Sequence, residues 1–165
     1  GTNCYEKLQE LFADDAVFLP EGGFDRPALA AVIFSDEAKR QALNDIVHPA
    51  VKQYVKEQME QHRKRGDLDL LVVEAALLIE EKYDEICDEL WYIYTTEDNR
   101  RARLKASRGY SDEKIQNIFD SQLPEKAYRE ACRVVVDNNA KPKEAFAQMQ
   151  KALADKDISP VGRCN

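Results

Sequence analysis

The sequence predicts an α/β fold in which groups of helices are inserted into a small sheet. Three short apolar runs rich in strand formers, Leu70–Val73, Leu90–Tyr94 and Arg133–Val136, alternate with longer stretches of helical periodicity. The first is apolar at consecutive rather than alternating positions, the pattern of a strand buried on both faces. Four helices before the first run, and three between the second and third, exceed a plain strand–helix repeat. The extra helices therefore read as insertions on a small α/β core.

In chain order, Tyr5, Leu8, Leu11 and Phe12 recur at helical spacing, and Pro20-Glu21-Gly22-Gly23 is a turn. Asp25-Arg26-Pro27 opens a second helix carrying Leu29, Val32, Ile33 and Phe34. Ser35 is expected to cap a third, which runs to His48, and Pro49 to start a fourth, which ends in His62-Arg63-Lys64-Arg65. Those cations complement the dipole of a helix that Gly66 stops. The segment Asp67–Glu80 then holds the first strand, and Glu74, just past its apolar run, sits where open parallel sheets place ligand-binding residues. After an acidic stretch and the second strand, Thr95 and Thr96 are caps for a helix that turns basic, with Arg101, Lys105 and Arg108 on one face. Ser111-Asp112 and Pro124 open two more helices, Asp137-Asn138-Asn139 is a turn, and a last helix begins near Pro142, followed by a loop-like tail.

At 165 residues and 44% hydrophobic content, the chain is long enough for one domain with a real core. A formal net charge of −7 argues against a protein that coats nucleic acid or an anionic membrane, so any anionic ligand must be met by a local cationic cluster. The four cysteines, Cys4, Cys87, Cys132 and Cys164, lack zinc-ligand spacing and read as free thiols of the cytoplasm. No apolar run reaches the ~18 residues of a membrane span.

Several separated stretches occur in the order of one known family. GFDRPALAAVIFSDEAKRQALNDIVHPAV, VVEAALLIE, RARLKASRG, SQL at Ser121–Leu123 and VVVDNN are spread along the chain from Gly23 to Asn139. In these it resembles the dephospho-coenzyme A kinases, P-loop kinases that transfer the γ-phosphoryl group of ATP to the ribose 3′-hydroxyl of dephospho-coenzyme A. It departs from them at Glu74, Ala76 and Ile79, where the family commonly has Asp, Pro and Phe.

The resemblance implies a P-loop NTPase-like three-layer parallel core. Residues 1–66 would be a helical coenzyme A-binding insertion, 67–95 and 132–155 parts of the nucleotide-binding core, 96–131 a helical lid, and 156–165 a tail. It implies Mg²⁺ with ATP as cofactor, and ATP and dephospho-coenzyme A as partners. Arg108 and Arg103 become candidate catalytic residues, Arg26, His48, Glu74 and Leu77 candidate substrate-side residues, and Arg108 and Asn138 candidate nucleotide-side residues. Each also has a structural reading: a solvated basic face, an Asp25–Arg26 surface pair, a His before Pro as helix cap, an Asp-Asn-Asn turn.

Nothing in the chain reads Gly-x-x-x-x-Gly-Lys-Ser/Thr, so the phosphate cradle of such kinases is absent. The expectation is an N-terminally truncated form, lacking the first strand, the P-loop and the second strand, and inactive by itself. The first strand of related kinases lies between the strands matching Leu70–Val73 and Leu90–Tyr94. Backbone groups orphaned along that slot would cost about 1–3 kcal/mol each, against a total stability of about 5–15 kcal/mol. The chain alone is therefore expected not to fold stably, and a complementing segment or chain would supply the strands. Two other classes stand beside the enzyme: a non-catalytic kinase-like module that binds coenzyme A or a partner, and a helical interaction domain.

Overall fold

The computed structural model describes residues 2–156, so Cys164 and the tail expected beyond Lys156 lie outside the described residues, and the chain divides into two compact units, Gly1–Leu68 and Asp69–Asn165. The first is helical: α1 (Thr2–Leu11), α2 (Arg26–Ser35) and α3 (Glu37–Arg65). Its core is Leu8, Phe12 and Val17, surrounded by partly buried Leu11, Leu29, Val32, Leu43, Ile46 and Val47. Between α1 and α2 the chain folds back through a turn in which Phe18 bridges Phe24. Gly22 and Gly23 have φ of 95° and 87°, conformations that glycine adopts without steric cost. Tyr5 packs edge-on against Phe18 and Phe24 at 6.4 and 5.8 Å, fixing the turn to α1.

Two expectations for this unit are corrected. Asp36, not Ser35, caps α3: its Oδ1 accepts from the Lys39 N–H at 3.0 Å, while the Ser35 hydroxyl donates back to Ala31 and Val32 carbonyls within α2. The break at His48-Pro49 is also absent, because α3 is one 29-residue helix with Pro49 inside it. Proline's fixed φ is helical; the costs are the bond its missing N–H would make to Asp45 and the crowding of that carbonyl by the ring. Leu43, Ile46 and Val47, packed on the Phe12 cluster one turn earlier, hold the helix through that gap. His48 is thus a mid-helix residue, half-buried, rather than a terminal one. Gly66, at φ 61°, ends α3 as expected, and His62 and Arg65 both reach the Asp67 carboxylate, at 2.9 and 3.0 Å. The His62 hydrogen bond first, and the Arg65 charge after it, hold that carboxyl below its usual range.

The second unit holds β1 (Trp91–Tyr94), α4 (Glu97–Arg108), α5 (Asp112–Asp120), α6 (Glu125–Ala131), β2 (Val134–Asp137) and α7 (Pro142–Ala154), with a 3₁₀ turn at Tyr83–Glu85. The strands pair in parallel, Trp91 opposite Val134 through Tyr94 opposite Asp137. Tyr83, Leu90, Ile115, Val136 and Ala145 are buried. Glu89 secures the start of β1 by accepting from Trp91 Nε1 and Lys156 Nζ, both at 2.6 Å. Burial pushes its pKa up, but those two hydrogen bonds and the Lys156 charge outweigh this and leave it lowered.

The first expected strand does not form. Residues 69–75 have no regular structure, and Leu70, Leu71 and Val72 are 43%, 42% and 74% exposed. A strand needs a neighbour to take its backbone hydrogen bonds, and no described residue pairs with this segment. The side of β1 away from β2 likewise carries no strand among the described residues. No helix among them is long and apolar enough to cross a membrane.

Candidate functional site

Because β1 and β2 are parallel, their carboxyl ends lie side by side, where an open α/β sheet binds its ligands. Each strand leads into a polar connection, Thr95-Thr96 after β1 and Asn138-Asn139 after β2, and the connections are laced together. The Asn138 N–H donates to the Tyr94 carbonyl at 2.8 Å, extending the ladder by one residue. The Asn139 side-chain oxygen accepts from the Thr96 N–H at 2.8 Å and from Asn99 Nδ2 at 2.9 Å. Thr96 is the N-cap of α4, but its own hydroxyl makes no capping bond, contrary to expectation. What is accepted at this end is the cap residue's own N–H, by a side chain 43 residues away. Gln148 of α7 holds Asp137 by both of its backbone groups, at 2.9 and 3.0 Å.

Helix α4 runs from this junction carrying the basic cluster, and its cations divide into three kinds. Arg101 and Lys105 are neutralised: Arg101 meets Glu97 at 2.9 Å and Asp112 at 3.5 Å, and Lys105 meets Asp112 at 2.7 Å. The Lys105 hydrogen bond, with Arg101 behind it, lowers the Asp112 carboxyl's pKa. Arg103 donates to the Asn138 carbonyl at 2.7 Å, which brings two sequence candidates together. Arg108, the last residue of α4, is exposed and has no hydrogen bond or ion pair to another described residue.

Beside the junction lies a cleft of about 400 Å³ lined by Tyr92, Thr95, Arg100, Phe119, Gln122 and Tyr128, among others. The Arg100 guanidinium lies 4.4 Å from the Phe119 ring centroid and donates to Gln122 at 2.7 Å, while its buried Nε has no partner. Tyr92 and Tyr128 stack at 5.1 Å. Burial raises the pKa of both phenols, helped by the Glu125 charge at Tyr92 and the Glu80 charge at Tyr128.

The remaining candidates are carried by other segments. Glu74 is exposed in the irregular segment, and Leu77, 41% exposed, lies in the turns that follow. Arg26 is the exposed first residue of α2, next to the capping Asp25, and His48 is in α3; both belong to the first unit. Sequence reading overlooked Asn139, Arg100, Gln122 and Gln148 as site-building residues. The signal for Asn139 was present in the Asp-Asn-Asn turn, whose second and third residues have separate partners.

The dephospho-CoA kinase family model matches residues 1–144. A dephospho-CoA kinase of Symbiobacterium thermophilum is 36% identical over 154 residues, 92% of this chain and 63% of that protein. One of Geobacter sulfurreducens is 30% identical over 154 residues, 93% of this chain and 77% of that protein. The crystal structure of TT1252 from Thermus thermophilus aligns with a TM-score of 0.74 at 26% identity, covering 94% of this chain and 77% of that one. The chain thus spans between three-fifths and four-fifths of the length of these relatives.

Proposed function

Because this chain belongs to the dephospho-CoA kinase family, we propose that it carries three parts of an ATP-dependent kinase acting on the ribose 3′-hydroxyl of dephospho-coenzyme A. These are the substrate domain (1–66), the lid (96–131) and part of the nucleotide-binding core (67–95 and 132–155). The architecture is an α/β, P-loop NTPase-like core, incomplete over these residues, with helical insertions. What supports the reading in the geometry is the Arg103 bond to the Asn138 carbonyl, 2.7 Å long, which seats the lid helix at the carboxyl end of the sheet.

In this reaction the 3′-oxygen attacks the γ-phosphorus in line, the bond to the β,γ-bridging oxygen breaks, ADP leaves, and the hydroxyl proton passes to a general base. Protein catalysis of such a transfer is mostly positioning and charge stabilisation. Arg108, uncommitted at the end of the lid helix, is assigned to the charge spreading over the transferring phosphoryl oxygens. Arg103 holds the lid helix to the nucleotide side, and Asn138 borders the adenine. Arg26 and His48 contact phosphate or pantetheine groups of the acceptor, with Glu74 and Leu77 on the acceptor side of the core.

Among the described residues no three His, Cys, Asp or Glu side chains converge on a metal site. Mg²⁺ in this reading arrives on the ATP phosphates, and no step is assigned to it.

No phosphate-cradling glycine-rich loop occurs in the 165 residues, and the chain by itself is proposed to be inactive. In this reading a strand–P-loop–helix–strand segment fills a slot between the Leu70–Val72 run, which is exposed, and the side of β1 that carries no strand among the described residues. The absence of the cradle favours one second reading, a non-catalytic module that binds coenzyme A or a partner.

A phosphoryl-transfer assay with ATP and dephospho-coenzyme A decides between them. It is run on this chain and on the chain completed with the first strand–helix–strand unit of a family relative. Turnover only in the completed protein is expected. Turnover in neither would refute the enzyme reading, and dephospho-coenzyme A binding by the chain alone would then support the module.

A further inference from the structure

We propose that Asn139 is a positioning residue that sets the orientation of the lid helix relative to the sheet; the proposal rests on the reading of α4 as the lid. The first turn of a helix leaves N–H groups without internal partners, and whatever accepts from the start of α4 fixes where it begins. Its own cap residue does not close that end, since the Thr96 hydroxyl makes no capping bond. Asn139 supplies the acceptor, taking the Thr96 N–H at 2.8 Å and the Asn99 amide at 2.9 Å on one oxygen. The other half of the same amide faces the opposite way. Asn139 Nδ2 and the Asn139 backbone N–H both donate to Asp137 Oδ1 at 2.8 Å. Donors meet the oxygen and an acceptor meets the nitrogen, so the network allows one orientation of the amide. Asp137 is in turn held to α7 by Gln148.

The consequence for Arg108 follows from leverage. Arg108 is the last of the 12 residues of α4, and Asn139 holds the first turn. At 1.5 Å of rise per residue the far end lies about 17 Å from the pivot, so a tilt of about 5° moves it by about 1.5 Å. A misplacement near 1 Å can cost a transfer reaction on the order of 10²-fold in rate. Arg103, whose side chain donates to the neighbouring Asn138 carbonyl at 2.7 Å, damps rotation one turn further along, while the side-chain acceptor at the first turn is Asn139. One neutral side chain thus couples the loop after β2 to the position of a guanidinium at the other end of the helix.

Three variants test this: Asn139→Ala, Asn139→Asp, and the exchange Asp137→Asn with Asn139→Asp. The exchange keeps an oxygen toward Thr96 and Asn99 and a complementary amide–carboxylate pair between positions 137 and 139. Asn139→Asp alone sets two carboxylates against each other.

In the completed protein, Asn139→Ala and Asn139→Asp are expected to lower kcat about tenfold or more, with KM for ATP and dephospho-coenzyme A within about threefold. The exchange is expected to restore kcat to within about threefold. Amide hydrogen exchange at Thr96 should quicken in the single variants and return in the double. An unchanged kcat in Asn139→Ala, or no recovery in the exchange variant, would overturn the proposal. If the wild-type completed protein transfers no phosphoryl group, the functional reading falls, yet Thr96 exchange still decides the tether. Faster exchange in Asn139→Ala supports it, and unchanged exchange overturns it.

Discussion

Val72 offers the sharpest test of the open slot, because its surroundings should differ between the chain alone and the completed protein. It is 74% exposed, the most exposed member of an apolar run whose composition suits a buried strand. Val72→Ala removes two methyl groups, each worth about 0.8 kcal/mol when fully buried. With about three-quarters of that burial still to be gained, the transfer contribution is roughly 1 kcal/mol, and an unfilled cavity raises it to about 1–2 kcal/mol. The substitution should therefore be nearly silent in the chain alone, leaving amide exchange across β1 and β2 unchanged, as for other exposed positions. In the completed protein it should lower unfolding stability by about 1–2 kcal/mol. If the segment is supplied as a separate peptide, its affinity should fall about 5–30-fold. Denaturant unfolding reads the first quantity, titration calorimetry the second, and amide exchange across β1 and β2 monitors the chain alone. Equal effects of Val72→Ala in both settings would refute the idea that a strand packs against this run.

Arg108→Ala should leave the thermal midpoint of the completed protein unchanged, because the guanidinium has no partner among the described residues. It should lower turnover by roughly 10³-fold with little change in ATP affinity; unchanged turnover in a steady-state assay would remove Arg108 from the site. Glu89→Gln should destabilise the second unit by about 1.5–3 kcal/mol at neutral pH, since the 15% exposed carboxylate loses its charge-assisted bond to Lys156. Its folded pKa is lowered, so its contribution is full above the ordinary carboxylate value of about 4.3 and disappears as pH falls through the lowered one. The gap between wild type and Glu89→Gln in denaturant titrations should thus close in acid, and a gap that widens there would contradict the assignment. Pro49→Ala should stabilise the first unit by up to about 3 kcal/mol by returning the missing bond to Asp45 inside α3. A loss of stability in urea titrations would show that the proline is doing structural work that the continuous helix does not reveal.

Local rules determined much of this chain. Periodicity placed α1, α5 and α7. The capping carboxylate Asp25 and the left-handed Gly66 and Gly109 end or begin helices where their residue types predict, because such preferences act over one turn. The strands β1 and β2 were legible from their apolar runs, and the family from its ordered motifs. Pro49 was misread because a proline signal is weighed locally, whereas packing on Phe12 lies outside that window.

What only the tertiary structure decided is which groups meet across long separations. Arg101, Lys105 and Arg108 share a helix face in the sequence, yet Asp112 neutralises two of them and no described residue meets the third. Asn138 and Asn139 are adjacent and chemically identical, yet one offers its backbone carbonyl to Arg103 and the other its side chain to Thr96. Leu70–Val73 has the composition of a strand, but a strand's hydrogen bonds belong to its neighbours, so the run stays irregular where none is present. A helix closes its backbone bonds within itself and can be read locally. A sheet closes them between segments remote in sequence, and its state is settled only when those segments are brought together.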